Sequence, residues 1–367
     1  MRSCVRWWFH DGPVMSPRVS VPLTGGWRFF LGDLANTSAP LVNFDDSAWR
    51  AVRLPHDYVM EGNMSAVEDA LHAYLPKPIG WYRRRIAPHH SRGAVWLTFD
   101  GVYRDSRIWF NGAFLRRHHS GYTSFTVDLT GLVKEGTRNF VTIRCEPSND
   151  EGWWYEGGGI TRAVTLHSTP DRLCLGEQVE GGVFVLPRVV GPIREAGAEV
   201  GGGRVAAARL DIETQVHNGR DEPAAFDLGS VVTAFGGHPA GALGTVTSRR
   251  VSVAARSSVT LLQRLNLSSA TRLWHVDQPT HRYVLTSTLL DAQGARVIDA
   301  IETTFGVRTA QFDATRGFAL NGESLKVAAS HAASTSRPAR RVARLTPATL
   351  LLLTCPPPPL AVMRALA

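Results

Sequence analysis

Between Gly26 and Leu166 the chain is a succession of short runs, apolar or alternating, each closed by Gly, Asn, Asp or Pro. Aromatic and β-branched residues dominate the runs, as they do in strands that fit a pleated, half-buried surface. Gly80-Trp-Tyr-Arg-Arg-Arg-Ile86, Val95-Trp-Leu-Thr-Phe99, Ser106-Arg-Ile-Trp-Phe110, Phe125-Thr-Val-Asp-Leu129, Asn139-Phe-Val-Thr-Ile-Arg-Cys145 and Ala163-Val-Thr-Leu166 read as antiparallel strands. Asn111-Gly112 follows Ile108-Trp-Phe110 directly, and Asn-Gly is the dipeptide that best tolerates the two positive φ angles of a type I′ hairpin turn. Many short strands with regular turns specify an all-β sandwich or barrel.

A second region follows. Nine of the ten Trp precede residue 155 and only Trp274 lies beyond, which places a domain boundary near Thr169-Pro-Asp171. Beyond it the strands are smaller and richer in Val and Thr, as in Arg209–His217, Arg250–Ala254 and Tyr283–Leu289. Such strands without a cysteine pair suit an immunoglobulin-like sandwich lacking its cystine. Gly191 to Gly203, rich in Gly and Ala, reads as a loop insertion. Gly317–Lys326 holds another hairpin signal at Asn321-Gly322. Residues 327–367 then contain no Asp, Glu or aromatic residue but ten Ala, five Arg and the run Pro356–Pro359, a composition that reads as a disordered tail. The expected divisions are 1–19, an N-terminal extension; 20–170 and 171–306, the two sandwiches; 307–326, the entry to a further domain; and 327–367, the aberrant tail.

Composition narrows the function classes. With 367 residues, 44% of them hydrophobic, the chain can bury real cores, and no run approaches the 18 or so apolar residues of a membrane-spanning helix. The net charge of +8 suggests a polyanion partner only until its position is examined. Up to Lys326 there are 35 basic against 32 acidic residues, a balance of +3, so neither nucleic acid nor a membrane is expected as a partner. Cys4, Cys145, Cys174 and Cys355 are far apart, with no C-x-x-C pair and no zinc spacing; a reducing, cytoplasmic setting without metal or cofactor follows as the expectation. The basic start is broken by His10, Asp11, Gly12 and Pro13 before it reaches signal-peptide length, and Met15 offers an alternative start.

No local motif assigns chemistry. G-x-S-x-G, the P-loop pattern, H-E-x-x-H and a strand-to-helix G-x-G-x-x-G are all missing. Gly157-Gly-Gly159 reads as a turn before the strand containing Arg162 rather than a phosphate cradle. Leu54-Pro-His-Asp-Tyr58 is either half of a nucleophile relay or a Pro-stiffened loop with a hydrogen-bonded His and Asp; neighbours on an extended chain point to opposite faces, which favours the loop. His89-His90 and His118-His119 read as solvated loop residues by the same reasoning. Pro147-Ser-Asn-Asp-Glu-Gly-Trp-Trp-Tyr155 packs two carboxylates, an amide and three aromatics into one loop. Sugars are held by such sets, with ring faces on aromatics and hydroxyls on carboxylates and amides; the alternative is that the aromatics fold back onto the core.

Taken in order, Gly26-Trp-Arg-Phe29, Leu54-Pro-His-Asp57, Gly80-Trp-Tyr-Arg-Arg84, Phe99-Asp-Gly-Val-Tyr103 with Trp109-Phe-Asn-Gly112, Gly121-Tyr122 through Asp128-Leu-Thr130, and Trp154-Tyr-Glu-Gly-Gly-Gly-Ile-Thr-Arg162 form a specific series. It continues with Leu273-Trp-His-Val-Asp-Gln-Pro279, Phe305-Gly-Val-Arg308 and Gly317-Phe-Ala-Leu-Asn-Gly322. Over residues 20 to 326 the chain resembles the N-terminal part of a family-2 glycoside hydrolase of the β-galactosidase kind.

That resemblance implies a jelly-roll sugar-binding domain, an immunoglobulin-like sandwich and entry into a catalytic (β/α)₈ barrel that carries the paired glutamates of a retaining mechanism. A barrel takes about 250 residues and only 41 follow Lys326, none a carboxylic acid, so no catalytic residue is assigned and this chain alone is expected to be inactive. The abrupt change after Leu325-Lys326 suggests a frameshift or a truncated gene. By resemblance, the loop before Trp154 contributes Asn149, Asp150, Glu151 and Trp153 to binding a terminal β-glycoside, with a galactoside favoured. The competing expectation is a carbohydrate-binding or scaffold protein without catalysis.

Overall fold

The computed structural model describes residues 16–34, 38–147, 157–176, 179–195, 203–237 and 241–326. The first sandwich is built from β1 (Val19–Pro22), β2 (Trp27–Leu31), β3 (Arg50–Val52), β4 (Gly80–Ile86), β5 (Val95–Phe99), β6 (Ser106–Phe110), β7 (Ala113–His118), β8 (Phe125–Asp128), β9 (Asn139–Cys145) and β10 (Val164–Ser168). They form two antiparallel sheets, ordered β1-β10-β5-β8 and β3-β2-β4-β9-β6-β7. Each strand alternates, so one face of each sheet meets the other: Trp27, Phe29, Tyr82, Ile108, Phe110, Val141 and Ile143 from one, Val95, Leu97, Phe99, Phe125 and Leu166 from the other. The Asn-Gly turn joins β6 to β7 with φ of 51° at Asn111 and 90° at Gly112.

The larger sheet is covered on its far face as well. Trp81 stacks on Trp109 at 5.5 Å, and Phe30 on Trp49 at 5.8 Å. Arg83, at 1% exposure, is covered by the segment that precedes Trp49. Its guanidinium reaches Asp46 at 2.5 Å and the carbonyls of Leu41 and Val42, and sits 3.7 Å from the Phe140 ring, so the buried charge is both paired and hydrogen-bonded.

The second sandwich contains β11 (Leu173–Leu175), β12 (Val183–Val189), β13 (Arg194–Glu195), β14 (Arg204–Asn218), β15 (Ala224–Ala234), β16 (Gly244–Val253), β17 (Ser257–Arg272), β18 (Tyr283–Asp291) and β19 (Val297–Phe305). In one sheet the long β14 is paired along one edge by β11, β12 and β13 and along the other by β17; the facing sheet runs β16-β15-β18-β19. This immunoglobulin-like sandwich closes on Leu210, Ile212, Val232 and Leu285 toward one end and Val216, Phe226, Leu228 and Leu289 toward the other. Gln263 crosses the interior to Ser230, Ser248 and the Leu228 carbonyl, which satisfies the buried amide. A small sheet of β20 (Ala310–Asp313), β21 (Gly317–Leu320) and β22 (Glu323–Ser324) turns at Asn321-Gly322, with φ of 51° and 79°.

Three local expectations are corrected. β10 begins at Val164, so Arg162 precedes the strand instead of belonging to it. β8 stops at Asp128, where the Thr130 N–H turns back to that carboxylate. Within the expected loop from Gly191 to Gly203, Arg194 and Glu195 pair with Val205 and Arg204, because β14 is long enough to hold them; residues 196–202 lie outside the described residues. The expected tail, 327–367, lies outside them too.

Candidate functional site

The loop expected to bind sugar leaves the first sandwich after β9 and returns through Gly157-Gly-Gly159. Asn149, Asp150, Glu151 and Trp153 lie outside the described residues, but both stems of the loop are described. The outgoing stem is fixed by the Glu146 N–H, which donates to the Arg104 carbonyl at 2.9 Å, and by Arg144, which bridges Asp33 at 2.8 Å and Glu146 at 2.5 Å. The Arg144 hydrogen bond is the main reason the Asp33 carboxyl titrates below its ordinary range.

The returning stem is an extended strip held on two sides. On one side Gly159 exchanges backbone hydrogen bonds with Tyr103, at 2.6 and 2.8 Å. On the other, the His56 N–H donates to the Ile160 carbonyl at 2.8 Å and the Tyr58 N–H to the Gly158 carbonyl at 3.0 Å. Asp57 Oδ1 accepts the N–H groups of Gly158 at 3.0 Å and Val59 at 3.2 Å. Glycine is required here by contact: a Cβ on Gly159, at φ of 115°, would stand 2.2 Å from the Tyr82 hydroxyl, and one on Gly158 would stand 2.5 Å from Val59. The glycine run is thus a docked strip, not a free turn.

Tyr58 joins the two stems. Its N–H holds Gly158 on the returning side, while its hydroxyl donates to the Pro78 carbonyl at 3.0 Å and approaches the Cys145 carbonyl at 3.5 Å on the outgoing side. Burial drives its phenol pKa, and that of Tyr82, far above the ordinary value, so both hydroxyls stay protonated donors.

The relay reading of His56-Asp57 is not realised. His56 Nδ1 shares a 2.7 Å hydrogen bond with the Tyr82 hydroxyl, and Nε2 faces Glu61 at 3.2 Å, while the Asp57 carboxylate faces backbone amides. Burial lowers the His56 pKa against the pull of Glu61. Glu61 is also ion-paired with Arg50, and burial, which opposes its ionisation, is outweighed by those partners. Phe29, Phe30, Leu31, Arg50, Tyr58 and Glu61 line an open cleft of about 390 Å³ beside this cluster.

In each histidine pair one member, His89 or His119, is exposed as expected and the other is half-buried. His90 Nε2 contacts the Pro17 carbonyl at 3.0 Å; His118, on β7, stacks on Phe125 at 4.1 Å; His119 Nδ1 faces Asp105 at 3.2 Å. Among the described residues no three His, Cys, Asp or Glu side chains converge as a metal site. Sequence reasoning missed Tyr58, Tyr82 and Tyr103 as the framework of the loop. Tyr58 and Tyr82 stood within the Leu-Pro-His-Asp and Gly-Trp-Tyr runs, but only the folded chain shows which backbone groups they meet.

No family model matches the sequence. Individual relatives do. A β-galactosidase from Bacteroides ovatus is 29% identical over 323 residues, 86% of this chain and 34% of that protein. A putative β-glucuronidase from Formosa agariphila is 27% identical over 330 residues, 84% of this chain and 27% of that protein. Among solved structures, a glycosyl hydrolase family 2 member from Bacteroides cellulosilyticus superposes with a TM-score of 0.72 at 25% identity, over 84% of this chain and 38% of that one. Fold and relatives together are those of the β-sandwich domains at the N-terminal end of family-2 glycoside hydrolases, which this chain resembles. The chain corresponds to the N-terminal portion of family-2 glycoside hydrolases, and spans about a third of the length of the curated relatives it matches.

Proposed function

We propose that this chain supplies the sugar-contacting part of a β-glycosidase that hydrolyses O-glycosyl bonds with retention. Its ligand is a terminal β-glycoside, a galactoside or a glucuronide, in keeping with the two kinds of relative. The observation that supports this reading is the clamp at Tyr58, which fastens both stems of the segment carrying Asn149, Asp150, Glu151 and Trp153. A loop rich in polar and aromatic groups binds well only when its ends are fixed, because ordering it on binding costs affinity.

A retaining mechanism needs two carboxyl groups about 5 Å apart. The 41 residues after Lys326 contain none, which supports the reading that residues 1–367 by themselves bind sugar without turnover. A reducing, cytoplasmic setting is part of the proposal, supported by Cys145, a buried free thiol.

The purified chain is to be titrated with galactose and with glucuronate by calorimetry, and assayed on chromogenic β-galactoside and β-glucuronide. Binding of one sugar, weakened about tenfold by Asp150→Asn combined with Trp153→Ala, with no hydrolysis, is the expected result. Affinity untouched by that double substitution would remove the loop from the site. Turnover would remove the claim of inactivity.

A further inference from the structure

The outward face of the β14 sheet carries a cationic cluster that the loop site does not use. Register sets three rows across β12, β14 and β17: Phe184–Glu213–Leu262, Leu186–Asp211–Arg264 and Arg188–Arg209–Asn266. Three guanidiniums converge on one carboxylate. Asp211 meets Arg188 Nε at 2.9 Å, Arg264 Nε at 3.1 Å and Arg209 Nε at 3.4 Å. Three cations face two anions, Asp211 and the Glu213 next along the strand, so the cluster carries excess positive charge.

The geometry leaves donors to spare. Arg188 and Arg264 bond Asp211 through Nε, and among the described residues their Nη groups make no hydrogen bond within the protein. Both side chains are more than half exposed, at 59% and 68%. An N–H edge of this kind accepts a carboxylate in bidentate fashion. On the same face, Phe184, Leu186 and Leu262 are exposed, with Phe184 four residues from Arg188, about 13 Å along an extended strand. A flat sheet that offers an aromatic ring, aliphatic side chains and unspent guanidinium donors within that span matches an oligosaccharide: sugar rings have an apolar face, and acidic sugars add a carboxylate.

We propose that this face of the second sandwich binds carboxylate-bearing oligosaccharides, with the uronate carboxylate on Arg188 and Arg264 and a neighbouring ring on Phe184. A nearer carboxylate would be repelled by Glu213, so the anion sits toward the Arg188–Arg209 row.

The test is titration of the 367-residue chain with tetragalacturonate, alongside neutral galactotetraose, sodium sulfate and hexaglutamate. Tetragalacturonate binds, and affinity falls about tenfold in Arg188→Gln/Arg264→Gln and severalfold in Phe184→Ala, while Asp150→Asn/Trp153→Ala leaves it unchanged. Unaltered circular dichroism keeps the arginine result interpretable. If that variant misfolds, the decision falls to Phe184→Ala and to the neutral tetrasaccharide on the wild-type chain. Equal binding of galactotetraose, sulfate or hexaglutamate overturns the proposal, as does loss of binding in the loop variant, which would place the ligand there.

Discussion

Asp299, wholly buried on β19, receives the guanidinium of Arg18 through hydrogen bonds of 3.0 and 2.5 Å, which ties the entry of the first sandwich to the second. Arg18 also donates to the Leu175 carbonyl at 2.8 Å and lies 4.8 Å from the Trp96 ring, while Asp299 accepts the Leu175 N–H at 2.9 Å. Ser16 adds a bond to the Ala300 carbonyl, and Ala94, Trp96 and Cys174 form a small apolar seam alongside. The two sandwiches are joined by a buried polar knot and not by a linker alone.

Removing one partner of such a pair leaves a buried charge uncompensated. Arg18→Ala is expected to destabilise the chain by about 3 kcal/mol, read from urea unfolding. Combining Arg18→Met with Asp299→Asn should cost less than the two single changes together, since the second removes the charge stranded by the first.

His167 stacks on Trp96 at 5.1 Å, and burial, with the nearby charge of Arg18, lowers its pKa from 6.5 to about 4. The folded state therefore binds fewer protons than the unfolded chain between those values. Its contribution is fully present above pH 6.5 and is lost as pH falls toward 4. Urea midpoints should decline across that window, and His167→Gln should flatten the decline; a variant with an unchanged slope would show that His167 does not control it.

Gly159→Ala places a methyl group 2.2 Å from the Tyr82 hydroxyl, at a φ of 115° that disfavours a side chain. A cost of about 3 kcal/mol is expected from the clash and the backbone strain together. Tyr58→Phe should be milder, about 1 kcal/mol for the lost bond to Pro78, yet should weaken sugar binding through the unclamped loop. Thermal melting and calorimetry separate the two effects.

Cys145 and Cys174 are fully buried, and burial pushes the Cys145 thiol well above its ordinary pKa. Neither should react with iodoacetamide in the native state, and both should react in guanidinium, as mass spectrometry would show. Modification of the folded chain at either position would mean that its cover opens.

The strands of the first sandwich were legible because their local signals agree. Gly80–Ile86, Val95–Phe99, Ser106–Phe110 and Asn139–Cys145 are strands in the structure over those same residues, as aromatic alternation and turn residues are properties of contiguous sequence. The long β14 and β17 were caught only in part or not at all. Their alternation includes Ala, Ser and Thr, whose place in a core depends on the opposing sheet.

The sequence by itself determined the all-β class, the hairpins at Asn111-Gly112 and Asn321-Gly322, and the ordered motifs of family-2 glycoside hydrolases, since each is written in residues close together along the chain. Only the tertiary structure decided that His56 pairs with Tyr82 and Glu61 instead of Asp57, that Tyr58 fastens both stems of one loop, and that three arginines from three strands share Asp211. Those partners lie far apart in the chain, Tyr58 and Cys145 by 87 residues and Tyr58 and Gly158 by more, and only the folding of strands and loops onto one another sets which of them meet.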